Sequence, residues 1–242
     1  MTPDLIESAA SGFEFPVLSF VIEAERFYAN LISAAASDNH HEPSLGGKLL
    51  YAGELNAEAR ALLVAANIAG AASLTVSTDA AERKQAIRDG VVDFLVTSLD
   101  EALRILKNEI RKRETVAVCV ALDPEACERD FARAMLERGA KPDLTRPVEF
   151  AAAENGQTLL AWSVESSPAI WMPKLDAVAA ECLRVEEQAA HRWLRLAPRY
   201  LGRLAQGVRL LRCADSSAAT IMERFSEEAA REKIAVHTRK FA

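Results

Sequence analysis

The chain has 242 residues, half of them apolar, and its 35 acidic side chains against 29 Lys and Arg leave a net charge of −6. That length is enough to bury a real core as one decorated domain or two small ones, and the composition excludes a disordered chain. The acidic balance argues against a surface that coats nucleic acid.

Four cysteines (Cys119, Cys127, Cys182 and Cys213) form no C-x-x-C pair, which favours a reducing compartment over a disulfide scaffold or a zinc ribbon. The first residues, Met1-Thr-Pro-Asp-Leu-Ile-Glu7, are acidic and lack the apolar core of a signal peptide. The most apolar run, Ala61 to Ala66, falls far short of the ~18 residues that a membrane span needs. The expectation is a soluble cytoplasmic protein without a membrane partner.

Charge divides the chain into three parts. Residues 1–45 hold seven acids and one base, 46–150 hold 17 and 15, and 151–242 hold 11 and 13. The two ends are thus opposite in sign and able to meet across a fold or a dimer. In the first part, Val17, Phe20, Val21, Ala24, Phe27, Tyr28 and Leu31 form the stripe of a helix that starts after Pro16 and has a wide face to bury. The run Ser37-Asp-Asn-His-His-Glu-Pro-Ser44 reads as a linker.

The middle part alternates. Lys48–Ala52 predicts a strand, 56–69 a nearly all-apolar helix and Ser73–Ser77 a second strand. Asp79, with Glu82 three residues on, caps a helix that Gly90 ends, and Val91–Val96 predicts a third strand. Ser98 and Glu101 form a capping box for a helix that buries Ala102, Leu103, Leu106 and Ile110. Thr115–Val120 is a fourth strand, and Asp123-Pro124 opens a helix closed by Gly139. Repeated β-α units predict an α/β fold, a Rossmann-like three-layer parallel sheet with right-handed crossovers. It carries an N-terminal helical segment and a C-terminal α+β extension, with boundaries at 1–45, 46–147 and 148–242.

In the last part, Val148–Ala152 and Thr158–Val164 flank Glu154-Asn155-Gly156, a hairpin signal. Pro168 and Pro173 bracket an extended Ile170-Trp171-Met172. A long helix is expected from about Lys174 to Leu196, broken or kinked by Pro198. A strand over Val208–Cys213, a helix over Ser216–Glu232 and a short strand over Ile234–His237 complete the reading.

Several stretches carry a resemblance. They are Gly47-Lys-Leu-Leu-Tyr-Ala-Gly53, Ala65-Ala-Asn-Ile-Ala-Gly70, Val76-Ser-Thr-Asp79, Asp89-Gly90, Ser98-Leu-Asp-Glu-Ala-Leu103 and Glu137-Arg-Gly-Ala-Lys-Pro-Asp143. In order and spacing, 46–143 resembles the NAD-binding domain of urocanase (urocanate hydratase). The resemblance implies a Rossmann-like fold, NAD and a homodimer. The family's glycine-rich turn G-L-G-G-M-G-G-A-Q is here Gly53-Glu-Leu-Asn-Ala-Glu-Ala-Arg60, so only Gly53 remains. The acid expected at the end of the second strand, which holds ribose hydroxyls, is Ser77. Where the family continues T-D-Q-T-S-A-H-D-P, this chain reads Leu144-Thr-Arg-Pro-Val-Glu149, and the family's urocanate-binding core has no counterpart.

Other candidates have plainer readings. His40-His41-Glu42 offers metal donors but sits in a linker without partners at metal spacing, so no metal is expected. Cys119 and Cys127 read as packed thiols, and His191 and His237 lack a recognisable acid or nucleophile motif. Arg192, Arg195, Arg199 and Arg203 recur at helical spacing, with Arg209 and Arg212 beyond. They can bind an anion, an RNA backbone or an acidic membrane surface; the plainer reading is a face that is solvated or neutralised within the chain, the acidic N-terminal segment being the obvious partner. The Trp171 stretch is either a docking patch or a strand edge tucked into the core.

The reading is a non-catalytic urocanase-like Rossmann-domain protein, a homodimer with a role in small-ligand or nucleotide binding or in protein interaction. The alternative is an NAD(P)-dependent enzyme related to urocanate hydratase that holds its nucleotide in an altered pose. Any ligand site lies at Gly53, Leu55, Asn56, Ser77 and Asp79, at the carboxyl ends of the strands. No cofactor is expected there; NAD remains the one the resemblance implies.

Overall fold

The chain's structure, a computed structural model, describes residues 18–35, 43–137, 144–145 and 156–241. Helix α1 (Leu18–Ala35) precedes an alternation of β1 (Leu49–Glu54), α2 (Ala57–Ala69), β2 (Ala72–Val76), α3 (Ala80–Arg88), β3 (Phe94–Val96), α4 (Leu99–Lys112), β4 (Val116–Val120), α5 (Pro124–Glu137) and a two-residue β5 (Leu144–Thr145). One device starts each of the helices α2 to α5 after its strand. A side-chain oxygen just before the helix accepts a first-turn amide: Asn56 from Ala59 (2.9 Å), Asp79 from Ala81 (2.7 Å), Ser98 from Glu101 (3.3 Å) and Asp123 from Ala126 (3.0 Å).

The strands pair in parallel in the order β3-β4-β2-β1-β5. Their continuous apolar sequences follow from coverage on both faces, since every residue of β2 and β4 is buried. Right-handed crossovers put α2 and α3 on one face and α4 and α5 on the other. Accordingly Leu103, Leu106 and Phe131 pack with Leu74 and Val118 in one core, while α2 packs with Leu50, Ala117 and Cys119 in another. The third strand is shorter than expected because Val91 and Val92 turn back, both donating to Ala86 O (2.9 and 3.3 Å).

Helix α2 is apolar all round because it is covered all round: Ala61 to Ala69 are all buried, the sheet on one side and α1 on the other. The stripe of α1 packs there, with Val21, Ala24, Phe27 and Leu31 at 1% exposure or less. The wide face that suggested a dimer is therefore filled within the chain. Gly70 ends α2 at φ 93°, and a Cβ there would stand 2.8 Å from an Arg192 nitrogen. Arg192 occupies that corner to cap the helix, donating to Ile68 O at 2.7 Å.

Beyond α1 lies a second unit: β6 (Gln157–Val164), α6 (Pro168–Cys182), α7 (Gln188–Leu201), a 3-10 turn (Gly202–Ala205), β7 (Val208–Ala214), α8 (Asp215–Glu232) and β8 (Val236–Phe241). Its antiparallel sheet runs β7-β6-β8, with α1 and α7 contacting β7, and α6 and α8 against the sheet through Trp162, whose ring meets Phe225 edge-on at 5.4 Å.

Four expectations are corrected here. The hairpin between Val148–Ala152 and Thr158–Val164 is overturned, because β7 and β8 occupy both edges of β6; Val148–Ala152 itself lies outside the described residues. Ile170-Trp171-Met172 is helical rather than extended: Pro168 stands in the first turn of α6, where its missing N–H costs nothing, and Ile170 and Trp171 donate to Ser167 O. The single long helix is two, divided at Leu183–Glu187, and Pro198 lies inside α7 without ending it. The last strand starts later, at Val236. His40-His41-Glu42 and Gly139 lie outside the described residues.

Glu187 makes the division between α6 and α7. Its carboxylate accepts from Arg184 N (2.9 Å), Ala214 N (2.7 Å) and Ser217 Oγ (2.5 Å), tying the start of α7 to the β7–α8 junction. Burial pushes its pKa up, but these hydrogen bonds together bring it below the ordinary glutamate value. An acid lowered in the folded state adds stability above its unfolded pKa and loses it as pH falls through the folded one. Glu187→Gln should therefore lower the melting temperature at neutral pH, and the deficit should shrink below about pH 4. A deficit that does not change between pH 7 and pH 3 would reject this role.

Candidate functional site

In a parallel sheet a ligand crevice opens where neighbouring strands send their following helices to opposite faces. Here β2 leads to α3 on one face and its neighbour β4 leads to α5 on the other, so the crevice lies over Ser77 and Ala121. The expected residues do gather at this end of the sheet: Gly53 is level with Thr75, and Leu55 N donates to Val76 O (2.8 Å), next to Ser77 and Asp79.

The turn after β1 closes on itself. Gly53 has φ 72° at an irregularity in the β1–β2 register, and a Cβ on it would meet nothing within 4 Å. The positive φ by itself accounts for a glycine here. Leu55 is buried in the core at 1% exposure. The Asn56 side chain holds Ala59 N–H, one of the amides a phosphate would use. Glu54 is exposed, and Glu58 stands in the first turn of α2. The Arg60 guanidinium, the cation best placed to offset them, is paired with Asp89.

At the end of β2, Ser77 is 2% exposed and its hydroxyl is engaged twice, accepting from Asp79 N (3.1 Å) and donating to Glu82 Oε2 (3.2 Å). Glu82 thus departs from a capping box: it reaches Ser77, and Ser77 instead takes the Asp79 amide that the box would assign to Glu82. Arg83 donates to Ser77 O at 2.7 Å. Glu82 and Arg83 are the polar groups that sequence reasoning missed, because a helix-capping pattern accounts for the one and a solvated face for the other.

Burial pushes the Cys119 thiol up to about 12, Cys127 to about 11 and Cys213 to about 12, so none supplies a thiolate near neutral pH. His237 meets the Glu165 carboxylate at 2.8 Å on an exposed rim. Of the arginine series, Arg192 caps α2 through the Ile68 carbonyl, while Arg209 pairs with Asp176 (2.9 Å) and Arg212 with Glu25, so these last two are neutralised within the chain. Among the described residues, no helix is long and apolar enough to cross a membrane, and no group of three or more His, Cys, Asp or Glu is placed to hold a metal.

A dinucleotide pyrophosphate requires close backbone approach and unspent helix amides free of competing acids. In the β1–α2 turn Asn56 has taken the Ala59 amide and Glu54 and Glu58 stand beside it, so these residues do not fit NAD in the usual pose. Residues 28–146 match the family model of the urocanase Rossmann-like domain, a family that binds NAD in general, and the mixed α/β fold with its parallel sheet is consistent with that match.

Proposed function

We propose that the chain is a non-catalytic urocanase-like protein whose parallel sheet serves as a binding platform, for a small polar ligand over the β2–β4 crevice. The observation that carries this reading is the closed β1–α2 turn, in which Asn56 has taken an amide that a phosphate would need. Glu82 and Arg83, both held against the buried Ser77, offer a carboxylate and a guanidinium side by side, a pattern suited to a small ligand with both donors and acceptors. Four free thiols and an acidic composition support a cytoplasmic setting.

A second reading, an NAD(P)-dependent enzyme with its nucleotide in an altered pose, is favoured by Glu82. Its carboxylate lies beside Ser77, near where the family places its ribose acid. Asp79 and Asn56, the other anchors for that pose, are both spent on helix caps.

The first reading expects no loss of urocanate ultraviolet absorbance when the purified protein is mixed with urocanate and NAD. Turnover that disappears on heat-killing the protein would reject it and favour the second.

A further inference from the structure

Helix α3 is held to the sheet more lightly than its neighbour α2. Its nine residues are too few for a helix to stand alone in water, so packing has to hold it. Yet only Ala86 is buried; Glu82 and Arg83 are half-buried, and the other six side chains are exposed, Ile87 among them. On the same face of the sheet α2 buries ten of its thirteen residues. Polar contacts hold α3 instead. Glu82 accepts from the Ser77 hydroxyl and Arg83 donates to Ser77 O at the crevice, while at the far end Asp89 pairs with Arg60 of α2. The positions that flank α3 can absorb a rotation: Thr78 is exposed, and Gly90 has φ 70° with open space where a Cβ would stand. Cys119 of β4 lies beneath. It is fully buried on the α2 side of the sheet, and the charges of Arg83 and Glu82 both act on its thiol. Little apolar burial and mostly polar ties mark an element that opens locally while the rest stays folded.

We propose that α3 is a lid on the β2–β4 crevice, latched by Arg60 and Asp89 and hinged at Thr78 and Gly90, whose opening uncovers the Cys119 thiol. As a gate for a ligand, the lid rests on the reading of the crevice as a binding site. The opening itself needs no ligand, so its test and the urocanate test fail separately.

The lid is tested by alkylating the full, folded chain with iodoacetamide and following each cysteine by mass spectrometry, beside amide hydrogen exchange. In the closed form burial pushes Cys119 and Cys213 alike up to about 12, so a difference between their rates reports access rather than acidity. Cys119 should react at least about tenfold faster than Cys213, and α3 amides should exchange at least about 100-fold faster than those of α2. Arg60→Met should raise the Cys119 rate about threefold to fivefold, as loss of a partly exposed ion pair allows, and leave Cys213 unchanged. Should that variant misfold, Asp89→Asn releases the same latch from the other side. Cys119 reacting no faster than Cys213, or α3 amides exchanging no faster than those of α2, would overturn the proposal. So would a latch variant whose Cys119 rate is unchanged, or one that speeds both thiols equally.

Discussion

Arg212→Met is expected to destabilise the protein by about 3–5 kcal/mol, and Glu25→Met with Arg212→Met to recover most of that loss. Glu25 is 2% exposed in the middle of the apolar face of α1, where Arg212 of β7 meets it with both ends of the guanidinium, at 2.8 and 2.6 Å. Burial pushes the Glu25 carboxyl up from its ordinary value, and the hydrogen bonds of Arg212 work against that; the same bonds hold Arg212 more firmly charged. The net worth of such a pair is small because both charges leave water. Removing one partner is a different matter, since it leaves the other charge buried and alone. For a chain of this length, at about 2–4 °C per kcal/mol, the single substitution should lower the melting temperature by roughly 10 °C. Arg212→Lys should fall in between, because an ammonium cannot reproduce the two-pronged contact. The measurement is thermal unfolding of all four proteins. A loss under about 1 kcal/mol for Arg212→Met would show that the pair does not hold α1 to the second sheet.

The parallel sheet was legible because each of its signals is local. Asn56, Asp79, Ser98 and Asp123 announce their helices within three residues, and strands buried on both faces have no alternation to misread. The second unit was less legible because its determinants are distant. Glu187 divides two helices by binding Ala214 and Ser217, about 30 residues on, and no periodicity carries that information. The false hairpin had the same origin. Glu154-Asn155-Gly156 is a sound turn signal, yet β6 is claimed on both sides by strands far along the chain. At the site, the sequence located the carboxyl end of the sheet and the altered turn, while the Ser77–Glu82–Arg83 group needed coordinates. Glu82 looked like a helix cap, and only geometry places it on Ser77.

Calorimetric titration with NAD should show no binding at micromolar ligand, and the protein should purify without a dinucleotide by native mass spectrometry. Fold similarity alone would lead to the opposite expectation, but binding resides in the site rather than the fold. Phosphates at the start of α2 would compete with Asn56 for Ala59 N–H, and displacing that cap costs roughly 0.5–2 kcal/mol. They would also meet Glu54 and Glu58. A carboxylate in the first turn is itself stabilised by about 0.3–1 kcal/mol through the helix dipole, and a phosphate brought beside it suffers a comparable or larger repulsion in a partly buried cleft. The charge of Arg60, which would offset them, is already paired with Asp89. At the ribose, Ser77 has replaced the acid and its hydroxyl already serves Asp79 and Glu82. With each ~1.4 kcal/mol worth a factor of ten, these terms together weaken affinity by several powers of ten. Micromolar binding in the titration, or a crystal grown without additives that holds a dinucleotide over Gly53, would overturn this and make the altered-pose enzyme the better account.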